Sequence, residues 1–165
     1  MMGRHHEQVT RAFEDARDDV YRYLLTLGLP PQQAQEAAQE VFLRLYVALE
    51  QGDSILNTRA WIFRVAHNLG LDLRRKDQPL PIEPALERGL RDNARGIEMD
   101  LIERERMDQL SGAWKTLSAQ QRQCLHLRAE GLRYREIADA MGISISTVRE
   151  FLGRAVLRLQ KAVNE

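Results

Sequence analysis

A single cysteine, Cys124, stands in a chain of 165 residues, which excludes an internal disulfide and a cysteine-held zinc cluster. It lies in an apolar helical run beside Leu125 and Leu127, so a small buried thiol is the expectation there. Histidine is scarce as well: His5 and His6 are adjacent near the N-terminus, but they lack further ligands nearby and read as solvated. No apolar run approaches the roughly 20 residues that span a bilayer, and no secretory leader is visible, so the expectation is a soluble, cytoplasmic chain. Net charge is also missing. The 24 Lys and Arg residues are balanced by 24 Asp and Glu, which argues against a protein that grips nucleic acid by bulk electrostatics. No Ser/His/Asp arrangement, metal-ligand spacing or phosphate-binding loop is present, so no enzymatic activity, cofactor or metal is expected. Strand-type alternation, internal repeats and low-complexity tracts are absent too, leaving an all-α reading.

What the chain does have is helical periodicity and segregated charge. Phe13, Ala16, Val20, Leu24 and Leu27 form one stripe of an amphipathic helix over 9–27, closed by Gly28 and followed by Pro30 and Pro31. A second helix over 32–51 turns Ala34, Ala38, Val41, Leu45 and Leu49 inward and Glu36, Gln39, Glu40 and Arg44 outward. After a polar loop, Asn57 or Thr58 can cap a third helix running through Lys76. At 100° per residue, Ile62, Val65, Ala66, Leu69 and Leu73 make its core stripe, with Trp61, Arg64, Asn68, Leu71 and Arg75 opposite. An aromatic plane, guanidinium groups and an amide on one face suit unstacked bases and phosphates, although a lone Trp also serves as packing. From Arg59 to Lys76 there are five basic residues against one acid, whereas 77–108 carries nine acids against five arginines. Pro79, Pro81 and Pro84 mark 77–96 as a linker, dividing the chain into two small helical domains over 1–76 and 97–165.

The second domain opens with a helical pattern over 97–114 and a Ser118/Gln121 capping box for a helix ending before Gly131. Tyr134, Ile137, Ala138 and Met141 then fall at helical spacing, Gly142 offers a left-handed terminator, and Ser144 can cap a last helix carrying Val148, Leu152 and Val156. Two short helices meeting at a sharp turn make a helix-turn-helix. Its second helix would present Ser146, Thr147, Arg149 and Glu150 to a major groove, with Arg154 one turn further on.

These residues carry a resemblance. The segment from Ala34 to Tyr46, with Thr58 to Lys76, resembles region 2 of the extracytoplasmic-function (ECF) sigma factors of bacterial RNA polymerase, and the chain from Leu117 onward resembles their region 4. Order, spacing and linker agree from about Val9 on. The resemblance implies a factor that directs RNA polymerase core to promoters, as an alternative, signal- or stress-responsive sigma, with promoter DNA and an anti-sigma factor as further partners. It assigns core binding to the helix bearing Glu36, Gln39, Glu40 and Arg44. It assigns minus-ten single strand to Asn57, Trp61, Arg64, His67, Asn68 and Arg75, with Asn57 in the loop suited to holding a flipped base. It assigns the minus-thirty-five duplex to the helix opening at Ser144.

Two departures stand out. Glu150 and Phe151 occupy positions where small polar and basic residues are usual in the family, so promoter sequence cannot be transferred. Arg133 replaces a capping Ser or Thr, and a guanidinium cannot accept amide protons. Two other readings remain open at this point: a sigma-like protein that occupies an anti-sigma factor without binding DNA, and a dimeric regulator using only the helix-turn-helix.

Overall fold

The computed structural model describes residues 2–76 and 100–164, which form seven α-helices and, among the described residues, no strand. They are α1 (Met2–Thr26), α2 (Pro31–Glu50), α3 (Thr58–Lys76), α4 (Leu101–Thr116), α5 (Ala119–Ala129), α6 (Tyr134–Met141) and α7 (Ile145–Asn164). The linker expected over 77–96 lies outside the described residues. α1 extends further toward the N-terminus than its apolar stripe, because its polar first turns carry no periodicity to read. Asp100 caps α4, its side chain accepting from the Glu103 amide at 2.8 Å, while the part of the expected helix before it, from Ile97, lies outside the described residues.

α1 and α2 pack against each other through the stripes the periodicity defines. Ala16, Val20 and Leu24 of α1, Leu27 just beyond its end, and Ala34, Ala38, Val41, Leu45 and Leu49 of α2 are all buried. α3 crosses both, and Gly70 is what lets it approach: a Cβ there would stand 2.6 Å from Leu27 Cδ1 and 3.0 Å from Leu24 Cδ2. The buried face of α3 is nevertheless rotated from the expected one. Ile62, Phe63, Ala66, His67 and Gly70 are buried, whereas Val65, Leu69 and Leu73 are half-buried. The rotation follows from packing on more than one side, since α3 contacts α6 as well as α1 and α2.

In the second half, Ser118 and Gln121 exchange both capping-box hydrogen bonds at 3.1 Å. Gly142 closes α6 at φ 68°, a left-handed conformation that a β-carbon would strain. Leu127, Leu132, Ile137, Ala138, Val148 and Leu152 form the core between α5, α6 and α7. α4 has no fully buried residue and lies against α7, with Arg158 Nη1 donating to the Thr116 carbonyl at 2.5 Å. Cys124 is buried, and burial pushes its thiol up to about 11, so it stays protonated. The buried residues of both halves join in one continuous cluster.

Candidate functional site

Asn57 settles which residue caps α3. Its Oδ1 accepts from the Ala60 amide at 3.2 Å, while its Nδ2 donates to Glu136 Oε2 at 2.7 Å, across to the helix-turn-helix. Further along α3, Arg64, Asn68 and Arg75 are exposed in one row, with Leu71 half-buried among them. Asn68 Nδ2 donates to the Arg64 carbonyl at 2.9 Å. Trp61 heads the row but is half-buried against the core, so its ring contributes to packing.

His67 does not belong to that row. It is 2% exposed, and its Nδ1 lies 2.6 Å from the Tyr23 hydroxyl. Burial lowers the imidazole to about 4 and raises the Tyr23 phenol well above its usual range, so a neutral ring and a neutral phenol share this hydrogen bond. As an exposed contact to single-stranded DNA, His67 is therefore corrected to a core residue of this fold. The reason is helical geometry: His67 follows Phe63 by four positions and shares its inward face.

The first turns of α7 are built from hydroxyl groups. Ser144 Oγ accepts from the Thr147 amide at 3.1 Å and lies 2.8 Å from Thr147 Oγ1 and 3.2 Å from Ser146 Oγ. Val148, Leu152 and Ala155 are buried, which turns Ser146, Arg149, Glu150 and Arg154 outward and leaves Thr147 half-buried. Glu150 engages its own neighbour, with Oε1 2.6 Å from Arg154 Nη2. Both side chains are more than half exposed, so the pair is worth little energetically, but it occupies a guanidinium that faces outward. Val156, expected on the inner stripe, is exposed at 41%, because Ala155 takes the buried position. Arg133 caps nothing with its side chain. Instead Glu136 Oε1 accepts from the Arg133 amide at 2.8 Å, supplying half of a capping box from the other end.

On α2, Glu36, Gln39, Glu40 and Arg44 are exposed, and Arg44 Nε donates to Glu40 at 3.2 Å. Leu43 and Val47, 62% and 49% exposed, share this outer surface and were missed in the sequence reading. A groove of about 510 Å³ runs beside them, lined by Val9, Phe13, Phe42, Leu43 and Tyr46. The available signal was two apolar residues four apart outside the core stripe.

Arg59 was also missed, beyond its place in the basic count. Its Nη2 reaches Asp19 Oδ2 at 2.9 Å and Glu130 Oε2 at 2.6 Å, and its Nε donates to the Glu130 carbonyl at 2.7 Å. Burial raises the Asp19 carboxyl, but hydrogen bonds from Arg59 and Arg22 outweigh it and hold the group below its usual value. Among the described residues no group of side chains could hold a metal ion, and no helix is long and apolar enough to cross a membrane.

Comparison with known proteins gives two family matches: Sigma-70 region 2 over residues 12–79 and Sigma-70 region 4 over residues 107–159. The ECF RNA polymerase sigma factor SigM of Bacillus subtilis is 30% identical over 149 residues, covering 89% of this chain and 90% of that protein. The ECF sigma factor SigK of Mycolicibacterium vanbaalenii is 22% identical over 160 residues, covering 92% and 79%. Among solved structures, CnrH in complex with the cytosolic domain of CnrY shares the fold at a TM-score of 0.65 and 20% identity, over 96% of this chain and 89% of that one. The sigma factor RpoE of Bartonella quintana, in complex with the anti-sigma factor NepR, also matches at 0.65 and 20%, over 96% and 98%.

Proposed function

Because this chain belongs to the ECF RNA polymerase sigma factors and so directs RNA polymerase to promoters without being an enzyme, we propose how its residues divide that work. Residues 1–76 make one functional domain and 97–165 the other. The outer face of α2, with Glu36, Gln39, Glu40 and Arg44, docks on polymerase core, and the exposed Leu43 and Val47 add apolar area to a surface otherwise made of solvated charges. Asn57, Arg64, Asn68 and Arg75 meet the minus-ten element as single strand, with Trp61 at the edge of that surface. Ser146, Thr147, Arg149, Glu150 and Arg154 meet the minus-thirty-five duplex. The factor works in the cytoplasm under the control of a signal. An anti-sigma protein is a further partner, a reading supported by the two solved relatives, CnrH with CnrY and RpoE with NepR.

The observation that best supports the duplex assignment is α7 itself: a capped N-terminus, an inward stripe of Val148 and Leu152, and Arg149 on the exposed first turns. Such an arginine can bind guanine through two hydrogen bonds, whereas Arg154, a turn later, meets backbone phosphate. Arg149→Ala should cost roughly 1–3 kcal/mol on a selected promoter and relax one base-pair preference, while Arg154→Ala weakens all duplexes about equally. Anisotropy across a salt series, paired with transcription by reconstituted polymerase, reads both effects. Two variants that leave every duplex affinity unchanged would remove α7 as the reading helix.

A further inference from the structure

Glu150 occupies the middle of the face that α7 turns outward. On the helical wheel it lies about 160° from each of Val148 and Leu152, which are buried, so it points more directly away from the core than Arg149 or Arg154. A carboxylate, with an arginine on either side of it, therefore stands where this helix would come nearest to the floor of a major groove. Its link to Arg154 does not account for it. The pair is 53% exposed at Glu150 and 63% at Arg154, and an exposed i,i+4 pair contributes little, whereas a negative charge among phosphates is unfavourable on every sequence. One turn on, Gly153 is exposed too. A Cβ there would meet nothing within 4 Å and its φ is not positive, so neither packing nor backbone conformation asks for glycine. Glycine weakens a helix interior relative to alanine; what it leaves here is a bare stretch of backbone beside Glu150, which admits a close partner.

We propose that Glu150 reads a cytosine in the upstream duplex, and that its ion pair with Arg154 is exchanged for that contact when the helix enters the groove. This role rests on the assignment of α7 to the minus-thirty-five element made above. An ionised carboxylate only accepts hydrogen bonds. In the major groove guanine shows N7 and O6 and thymine shows O4, acceptors that repel it. Adenine offers its N6 amino group beside the N7 acceptor, whereas cytosine offers N4 with no acceptor next to it on the same base. Cytosine is thus the edge that a carboxylate fits best. Arg154 frees the carboxylate when its guanidinium turns to a backbone phosphate, and so exposed a pair loses little in the exchange. At a guanine or thymine the freed carboxylate would face acceptors and phosphates with no donor. Glu150 then selects by rejecting wrong sequences as much as by holding the right one.

The test uses the full chain bound to core polymerase, as wild type, Glu150→Gln, Glu150→Ala and Arg149→Ala. Each protein selects from a pool of duplexes randomised through both promoter elements, and affinities are then measured on the selected duplex and its single base-pair replacements. Glu150 is exposed, so its variants should keep wild-type helicity and melting temperature, which circular dichroism checks. Losing one negative charge raises affinity for all duplexes together, so only ratios between duplexes within one protein are compared. Wild type should prefer cytosine at one upstream position by on the order of tenfold. Glu150→Gln should move that preference to adenine, whose N6 and N7 a glutamine amide can pair with, and Glu150→Ala should level it, with the other positions unchanged. Cytosine kept at that position by both variants overturns the proposal, and so does a position altered by Glu150→Gln at which wild type prefers another base. Arg149→Ala separates this failure from that of α7 as a whole. If it relaxes a different upstream position while the Glu150 variants alter none, the helix reads duplex without Glu150; if no variant alters any upstream position, α7 is not the reading helix.

Discussion

Acid should weaken this fold through His67 before it weakens it through any carboxylate–arginine pair. The ring titrates near 6.5 when unfolded and at about 4 when buried beside Tyr23, so between those values the unfolded chain binds the extra proton. Stability from this group is complete above pH 6.5 and declines as pH falls toward 4. A separation of about 2.5 units corresponds to roughly 3 kcal/mol over the whole window, most of it gone by about pH 4.5. Asp19 acts in a different range: its folded value lies below 3.8, so the stability it gives is present above 3.8 and is lost only as pH falls through the lower value. Urea unfolding at intervals from pH 7.5 to 4.5 gives the slope, provided the transition stays two-state. His67→Gln removes the titrating ring and should flatten the curve over that window, with a lower plateau at pH 7.5. If the wild type and the variant lose stability in parallel, the buried, neutral imidazole is wrong.

Two further outcomes follow from exposed and half-exposed positions. Gln39→Lys with Glu40→Lys should weaken capture of core polymerase with helicity unchanged, since both side chains lie on the outer face of α2; undiminished pull-down would disown that face. Trp61→Ala should cost about 2 kcal/mol of stability, near half of the roughly 3–5 of a fully buried tryptophan, because the ring is only half-buried. Should a premelted promoter then open normally despite the lower melting temperature, Trp61 is packing alone.

The parts of this fold that could be read from the sequence are those fixed within a helix turn or two. Ala34, Ala38, Val41, Leu45 and Leu49 repeat at helical spacing and are all buried, and Ser118, Gly142 and Ser144 cap or end helices through partners at most four residues away. α3 is where that logic reaches its limit. Its Ile62–Ala66 pair was legible, but the orientation of the buried face depends on Tyr23 and α6, which lie far off in sequence, and no local pattern says on how many sides a helix will be covered. His67 came into the DNA set from family resemblance alone, never from the wheel, on which it sits about 40° from Phe63, about 60° from Arg64 and about 100° from Asn68. Arg59 shows the complementary limit. Counted as one of five positive charges it reads as a solvated basic edge, yet it is engaged by Glu130, 71 positions later, and by Asp19, 40 positions earlier. The unpaired positive charge on α3 is thus smaller than composition implies: Arg75 lies 3.9 Å from Asp72, which leaves Arg64 and, in the basic C-terminal turn, Arg74 and Lys76, where the helix dipole also favours cations.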